Sequence, residues 1–75
     1  MLAGEYILKN LKAFQRMAAA GLVSYKMLYY AEVNEWHVKN GCRLSQTCEH
    51  FSLSQSTVIY INQRMSQRIM ADDLQ

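Results

Sequence analysis

The sequence predicts an all-α protein, a small bundle of about four helices. Proline is absent from the 75 residues, so no helix is interrupted by a missing backbone donor. Gly21 and Gly41 fall between stretches of helix-like periodicity, where glycine commonly ends a helix in the left-handed conformation. Ser24 and Ser54 each stand just before such a stretch, in the place of an N-cap whose hydroxyl accepts a bond from an orphan N–H. Apolar residues make up 51% of the chain, enough to fold rather than stay disordered. Its length suits one domain over residues 1–75, with an N-terminal amphipathic helix at 3–20 and a core at 22–71.

The first helix is expected over residues 3–20. Ile7, Leu8, Leu11, Phe14 and Ala18 recur at i, i+1, i+4, i+7 and i+11, forming one apolar stripe. Lys9, Asn10, Lys12, Gln15 and Arg16 lie mostly away from it, and Gly21 is the expected stop. Such a stripe packs on the rest of the domain, and part of it is available as a dimer seam. The second helix is expected from the Ser24 cap to Asn40-Gly41. Tyr25, Met27, Leu28, Tyr29, Tyr30, Ala31, Val33, Trp36 and Val38 make it apolar or aromatic on nearly every face, which marks a central helix. Tyr29, Tyr30 and Trp36 exceed what the core of so short a chain hides comfortably, which favours a homodimer or protein partner. Leu11, Phe14, Tyr29 and Trp36 are the expected dimer-interface residues.

The third and fourth helices are expected at residues 45–51 and 54–70. Cys48, Phe51, Leu53, Val58 and Ile61 would lock them together across a tight polar turn. On the longer helix Val58, Ile61, Met65 and Ile69 recur at i, i+3, i+7 and i+11 and should face inward. Gln55, Ser56, Ile59, Tyr60, Asn62, Gln63 and Arg64 would then face solvent or a ligand. A short helix, a compact turn and a capped helix with outward polar side chains is the arrangement that presents a recognition helix to a DNA major groove. Glutamine makes paired bonds to adenine and an isoleucine methyl can touch that of thymine, so Gln55, Ser56, Ile59, Tyr60 and Gln63 are the candidate base contacts. Arg43, Ser45, Gln46, Thr57 and Arg64 suit the phosphate backbone, which carries no sequence information directly.

Net charge is +2, from eight Lys/Arg against six Asp/Glu, and is weak evidence for a polyanionic partner. Asp72 and Asp73 lie at the end of the chain, so residues 1–71 carry all eight positive and only four negative charges. His37, Cys42, Cys48 and His50 are potential zinc ligands, but no Cys-x2–4-Cys or His-x3–5-His pair is present, and no metal is expected. Cys48 instead suits a small apolar core position. No Gly-rich phosphate loop, HExxH or nucleophile elbow occurs, and Glu32 and Glu35 read as solvated acids; neither catalysis nor a cofactor is expected. The opening residues lack the basic start and apolar run of a signal peptide, and no apolar stretch approaches the roughly 20 residues needed to span a bilayer. A cytoplasmic protein with no membrane partner is the expectation.

Gly21-Leu-Val-Ser-Tyr-Lys-Met-Leu-Tyr-Tyr-Ala, Asn40-Gly-Cys-Arg-Leu-Ser-Gln-Thr and Phe51-Ser-Leu-Ser-Gln-Ser-Thr-Val together resemble bacterial and phage helix-turn-helix domains. The resemblance is to the winged type of plasmid or phage replication initiators and MarR-like regulators. There a helix ends in glycine, a Ser-Gln-x-x motif starts the positioning helix, and a Leu-Ser-x-x-Thr-Val motif opens the recognition helix. Leu53, Ser54, Thr57 and Val58 match the last motif, and the likeness covers about residues 21–65. It implies a single helix-turn-helix domain that binds double-stranded DNA as a transcriptional or replication regulator. Winged domains continue into a β-hairpin, whereas residues 66–75 hold no Gly or Pro turn and no strand alternation, and read as helix extension. A chain without the wing needs dimerisation on paired half-sites for tight binding. The alternative is a protein-interaction module of the same shape that does not touch DNA, favoured by the absent wing, small charge and surplus aromatics.

Overall fold

A computed structural model describes residues 1–69 and gives five helices: α1 (Ala3–Lys9), α2 (Leu11–Ala19), α3 (Tyr25–Lys39), α4 (Leu44–Phe51) and α5 (Gln55–Met65). No strand occurs among the described residues, and the all-α expectation holds. The continuous helix expected over 3–20 is instead two helices. Asn10 breaks it with φ −118° and ψ 32°. Its N–H donates to the Tyr6 and Ile7 carbonyls, and its side-chain amide donates to Tyr6 O at 2.9 Å. A short amide side chain that bonds nearby carbonyls offers the backbone an alternative to the helix ladder. The break aims α1 at α3 and α5, while α2 lies on α3 and α1.

The expected stops and caps are present. Ser24 Oγ accepts from Lys26 N–H at 3.1 Å, and Ser54 Oγ accepts from Thr57 N–H at 3.3 Å. After α2, Leu22 N–H reaches Met17 O at 2.8 Å and Gly21 N–H reaches Ala18 O at 3.0 Å, with Gly21 at φ 79°. After α3, Cys42 N–H bonds His37 O at 2.9 Å and Gly41 N–H bonds Val38 O at 3.4 Å, with Gly41 at φ 87°. Both are Schellman endings, which satisfy the last carbonyls through a left-handed residue.

As its all-round apolar character implies, α3 is central and packs against all four other helices. Ile7, Ala31, Val33, Ile61 and Met65 form the buried cluster, with Leu8, Phe14, Met27, Leu28, Tyr30, Phe51 and Leu53 packed around it. Gly4 lets α1 approach closely: a Cβ there would lie 3.2 Å from both Asn34 Oδ1 and Met65 Cβ.

The longer C-terminal helix expected over 54–70 stops at Met65. Ile69 is therefore not a fourth inward position on it. Residues 66–69 run instead beside the chain's start, with Ala3 N–H bonded to Gln67 O and Ile69 N–H bonded to Met1 O, each at 2.8 Å. Leu2 and Arg68 form an isolated antiparallel bridge there. Met70, Ala71, Asp72 and Asp73 lie outside the described residues. No described helix is long and apolar enough to cross a membrane.

Candidate nucleic-acid interface

The site begins at the link between α3 and α4. Gly41 and Cys42 take consecutive left-handed conformations, φ 87° and 57°, and so reverse the chain within two residues. Arg43 occupies the N-cap position of α4 without a side-chain cap bond. The start of α4 is held from below by Thr47, which is fully buried. Thr47 Oγ1 donates to Arg43 O at 3.2 Å and lies 2.6 Å from His37 Nδ1 on α3. The Arg43 carbonyl also accepts from the Thr47 backbone N–H at 3.1 Å, so the buried hydroxyl links the first turn of α4 to His37 on α3. The sequence pattern missed Thr47, a polar residue one step from the expected inward Cys48.

An aromatic cluster fixes the other end of α4. His50 stacks on Trp36, centroids 4.2 Å apart and planes 13° from parallel. Phe51 meets the edges or faces of Trp36, Tyr29 and His50 in T-shaped contacts at 5.7, 6.0 and 4.7 Å. These residues tie α4 to α3, which sets the angle at which α4 delivers the chain to the turn. His50 and His37 thus serve separate packing and hydrogen-bonding roles. Among the described residues no three His, Cys, Asp or Glu side chains gather as a metal site.

The turn is Ser52-Leu53-Ser54. Ser52 is left-handed at φ 55°, with its N–H on Glu49 O at 3.4 Å and Leu53 N–H on Cys48 O at 3.0 Å. This is a third Schellman ending, with serine where the other two have glycine. Leu53 then drops into the core, and Ser54 caps α5, its Oγ 2.8 Å from Thr57 Oγ1 and 3.2 Å from Ser56 Oγ. Thr57, an expected phosphate contact, is half-buried and committed to this cap.

Along α5, Val58, Ile61 and Met65 are buried as expected. Asn62 departs from expectation: it is half-buried, and its Oδ1 accepts from Asn34 Nδ2 at 3.0 Å. The pair is a polar clasp between α3 and α5, so Asn62 does not belong to the outward set. Gln55, Ser56, Ile59, Tyr60, Gln63 and Arg64 are exposed, Ile59 and Tyr60 to 45% and 50%. Tyr60 meets Tyr30 edge-on at 6.1 Å, and the Arg64 guanidinium lies 6.0 Å from the Tyr60 ring centroid.

At the start of α4, Arg43, Ser45 and Gln46 are exposed. An open groove of about 390 Å³ is lined by Cys42 and Leu44 from that segment, and by Ile59 and Gln63 from α5. The fold therefore brings the neighbours of Arg43 and Ser45 to the same groove as two of the expected base contacts. α5 contains no acidic residue.

The four expected dimer residues part company. Phe14 packs on the core cluster and edge-on to Tyr6 at 5.8 Å, and Trp36 is stacked within the chain. Leu11 is half-buried and Tyr29 is exposed at its rim, and both line a groove of about 350 Å³ that α2 and α3 share. Leu22, Tyr25 and Val38 are further exposed apolar side chains that the sequence reading did not single out as a surface. Comparison with known proteins finds no matching family model, curated protein or solved structure.

Proposed function

We propose that this chain is a sequence-specific double-stranded DNA-binding protein, a small cytoplasmic regulator of transcription or replication of the bacterial or phage type, acting as a homodimer. The observation that carries the reading is the outer face of α5: Gln55, Ser56, Ile59, Tyr60 and Gln63 are exposed on a capped, acid-free helix whose inner face, Val58, Ile61 and Met65, is buried. In this reading α5 enters the major groove, where base edges are distinguishable. Arg43, Ser45, Gln46 and Arg64 take phosphates and set the register. One helix of 11 residues offers few contacts, so two copies on half-sites about 34 Å apart supply the rest. Leu11 and Tyr29 are the seam residues that remain accessible for this. The helix-turn-helix resemblance of residues 21–65 supports the same reading.

The test is a fluorescence-anisotropy titration of mixed-sequence duplex DNA with the folded chain at low and moderate salt. Salt-sensitive binding is expected, because neutralised phosphates release counterions. The second reading, a protein-interaction module, is favoured by the exposed Leu22, Tyr25 and Val38 and by the net charge of only +2. No binding at low salt by a chain shown to be folded would select it.

A further inference from the structure

Gln55, Ile59 and Gln63 stand four residues apart and are all exposed, so they form one strip along α5. At 1.5 Å rise per residue the strip is roughly 12 Å long, which matches three to four base-pair steps of about 3.4 Å. The chemistry of this strip is selective. Each glutamine amide offers the donor and acceptor that pair with adenine N7 and N6, and the Ile59 methyl groups match the thymine C5-methyl. What the helix lacks is equally informative. Guanine is read by a cation, and the only one on α5 is Arg64, which lies off the Gln55–Ile59–Gln63 strip and takes a phosphate in the duplex reading. The cytosine amino group is read by a carboxylate, and α5 has none. Asn62 is withdrawn into its bond with Asn34.

We propose that the Gln55–Ile59–Gln63 strip reads a short run of A·T pairs in the major groove, with a thymine methyl seated against Ile59. This rests on the duplex-DNA reading above and adds the identity of the bases to it.

The experiment selects a preferred duplex from a random library with the full chain, then titrates that duplex by anisotropy. The expected core holds three or four consecutive A·T pairs. Replacing its central thymine with deoxyuridine, which removes only the C5-methyl, should weaken the wild type about fourfold, the worth of one methyl group withdrawn from water. Ile59→Ala should bind both duplexes alike. Gln55→Ala and Gln63→Ala should each lose about tenfold on the selected duplex and little on a mixed-sequence one. Salt-sensitive binding with a G·C core, or indifference of the wild type to deoxyuridine, overturns the A·T assignment and leaves the duplex reading standing. Absence of any duplex binding by the folded chain overturns both.

Discussion

Ser52 holds a conformation that costs an L-residue free energy, because its Cβ crowds the following carbonyl at φ 55°. Gly21 and Gly41 perform the same task in the other two Schellman endings without that cost. Ser52→Gly is therefore expected to stabilise the fold by about 1 kcal/mol, raising Tm by roughly 5 °C in a thermal melt followed by circular dichroism. A fall in Tm would mean that the serine side chain contributes more than its strained backbone costs. Thr47 is the opposite case, a polar group whose burial is fully compensated. Thr47→Val keeps the shape and the backbone bond from residue 47 N–H to the Arg43 carbonyl, but leaves His37 Nδ1 without its buried hydroxyl partner. Urea denaturation should show a loss of about 1–2 kcal/mol. Neither residue was legible in the sequence. Serine carries no local signal for a left-handed stop, which glycine usually supplies, and threonine carries none for burial, which the packing of α4 on α3 imposes. Ser24 and Ser54 were legible because capping is a local bond to the next turn.

The helices owe their arrangement to where each one ends. The stripe over residues 3–20 is periodic enough to suggest one helix, yet Asn10 divides it, because α1 must reach α5 while α2 stays on α3. Periodicity reports which side chains go inward and is silent about a change of axis between them. The same limit explains α5, where Ile69 continues the inward spacing although the helix has stopped at Met65 and the chain pairs with Met1. Asn62 follows a related logic. It stands at i+4 from Val58 and i−3 from Met65, on the edge of the inward stripe, so its amide meets Asn34 rather than solvent. At Gly4, α1 meets both Asn34 of α3 and Met65 of α5. Gly4→Val would drive branched methyl groups into Met65 and the Asn34 amide, both within 3.2 Å of a Cβ. Overpacking of this kind costs about 2 kcal/mol, and chemical denaturation of the variant should show that loss. An unchanged midpoint would mean that α1 can withdraw from α3 and α5 freely.

For the molecule as a whole, the outer face of α5 was legible because its inward residues were. Once Val58, Ile61 and Met65 are buried, helix geometry fixes which side chains remain outside. The expected dimer residues do not gather on one free face, since aromatic residues can satisfy one another within a chain. Trp36 has done this with His50 and Phe51, and Phe14 with Tyr6. Of the expected dimer residues, Leu11 and Tyr29 still line a shared surface feature, the groove between α2 and α3. Tyr29 is 37% exposed and touches Phe51 with one edge, so a polar replacement removes one T-shaped contact and leaves the core cluster intact. If that groove is the seam, Tyr29→Asp places a charge opposite its own symmetry mate, because a two-fold interface presents the same patch from both sides. Sedimentation equilibrium should then show a dimer for the wild type and a monomer for the variant. Duplex affinity should fall with it on a site containing two half-sites, and much less on a single half-site, since only the former depends on linking two recognition helices. A variant that stays dimeric would move the seam elsewhere, most directly to the exposed Leu22 in the α2–α3 link and Tyr25 at the start of α3.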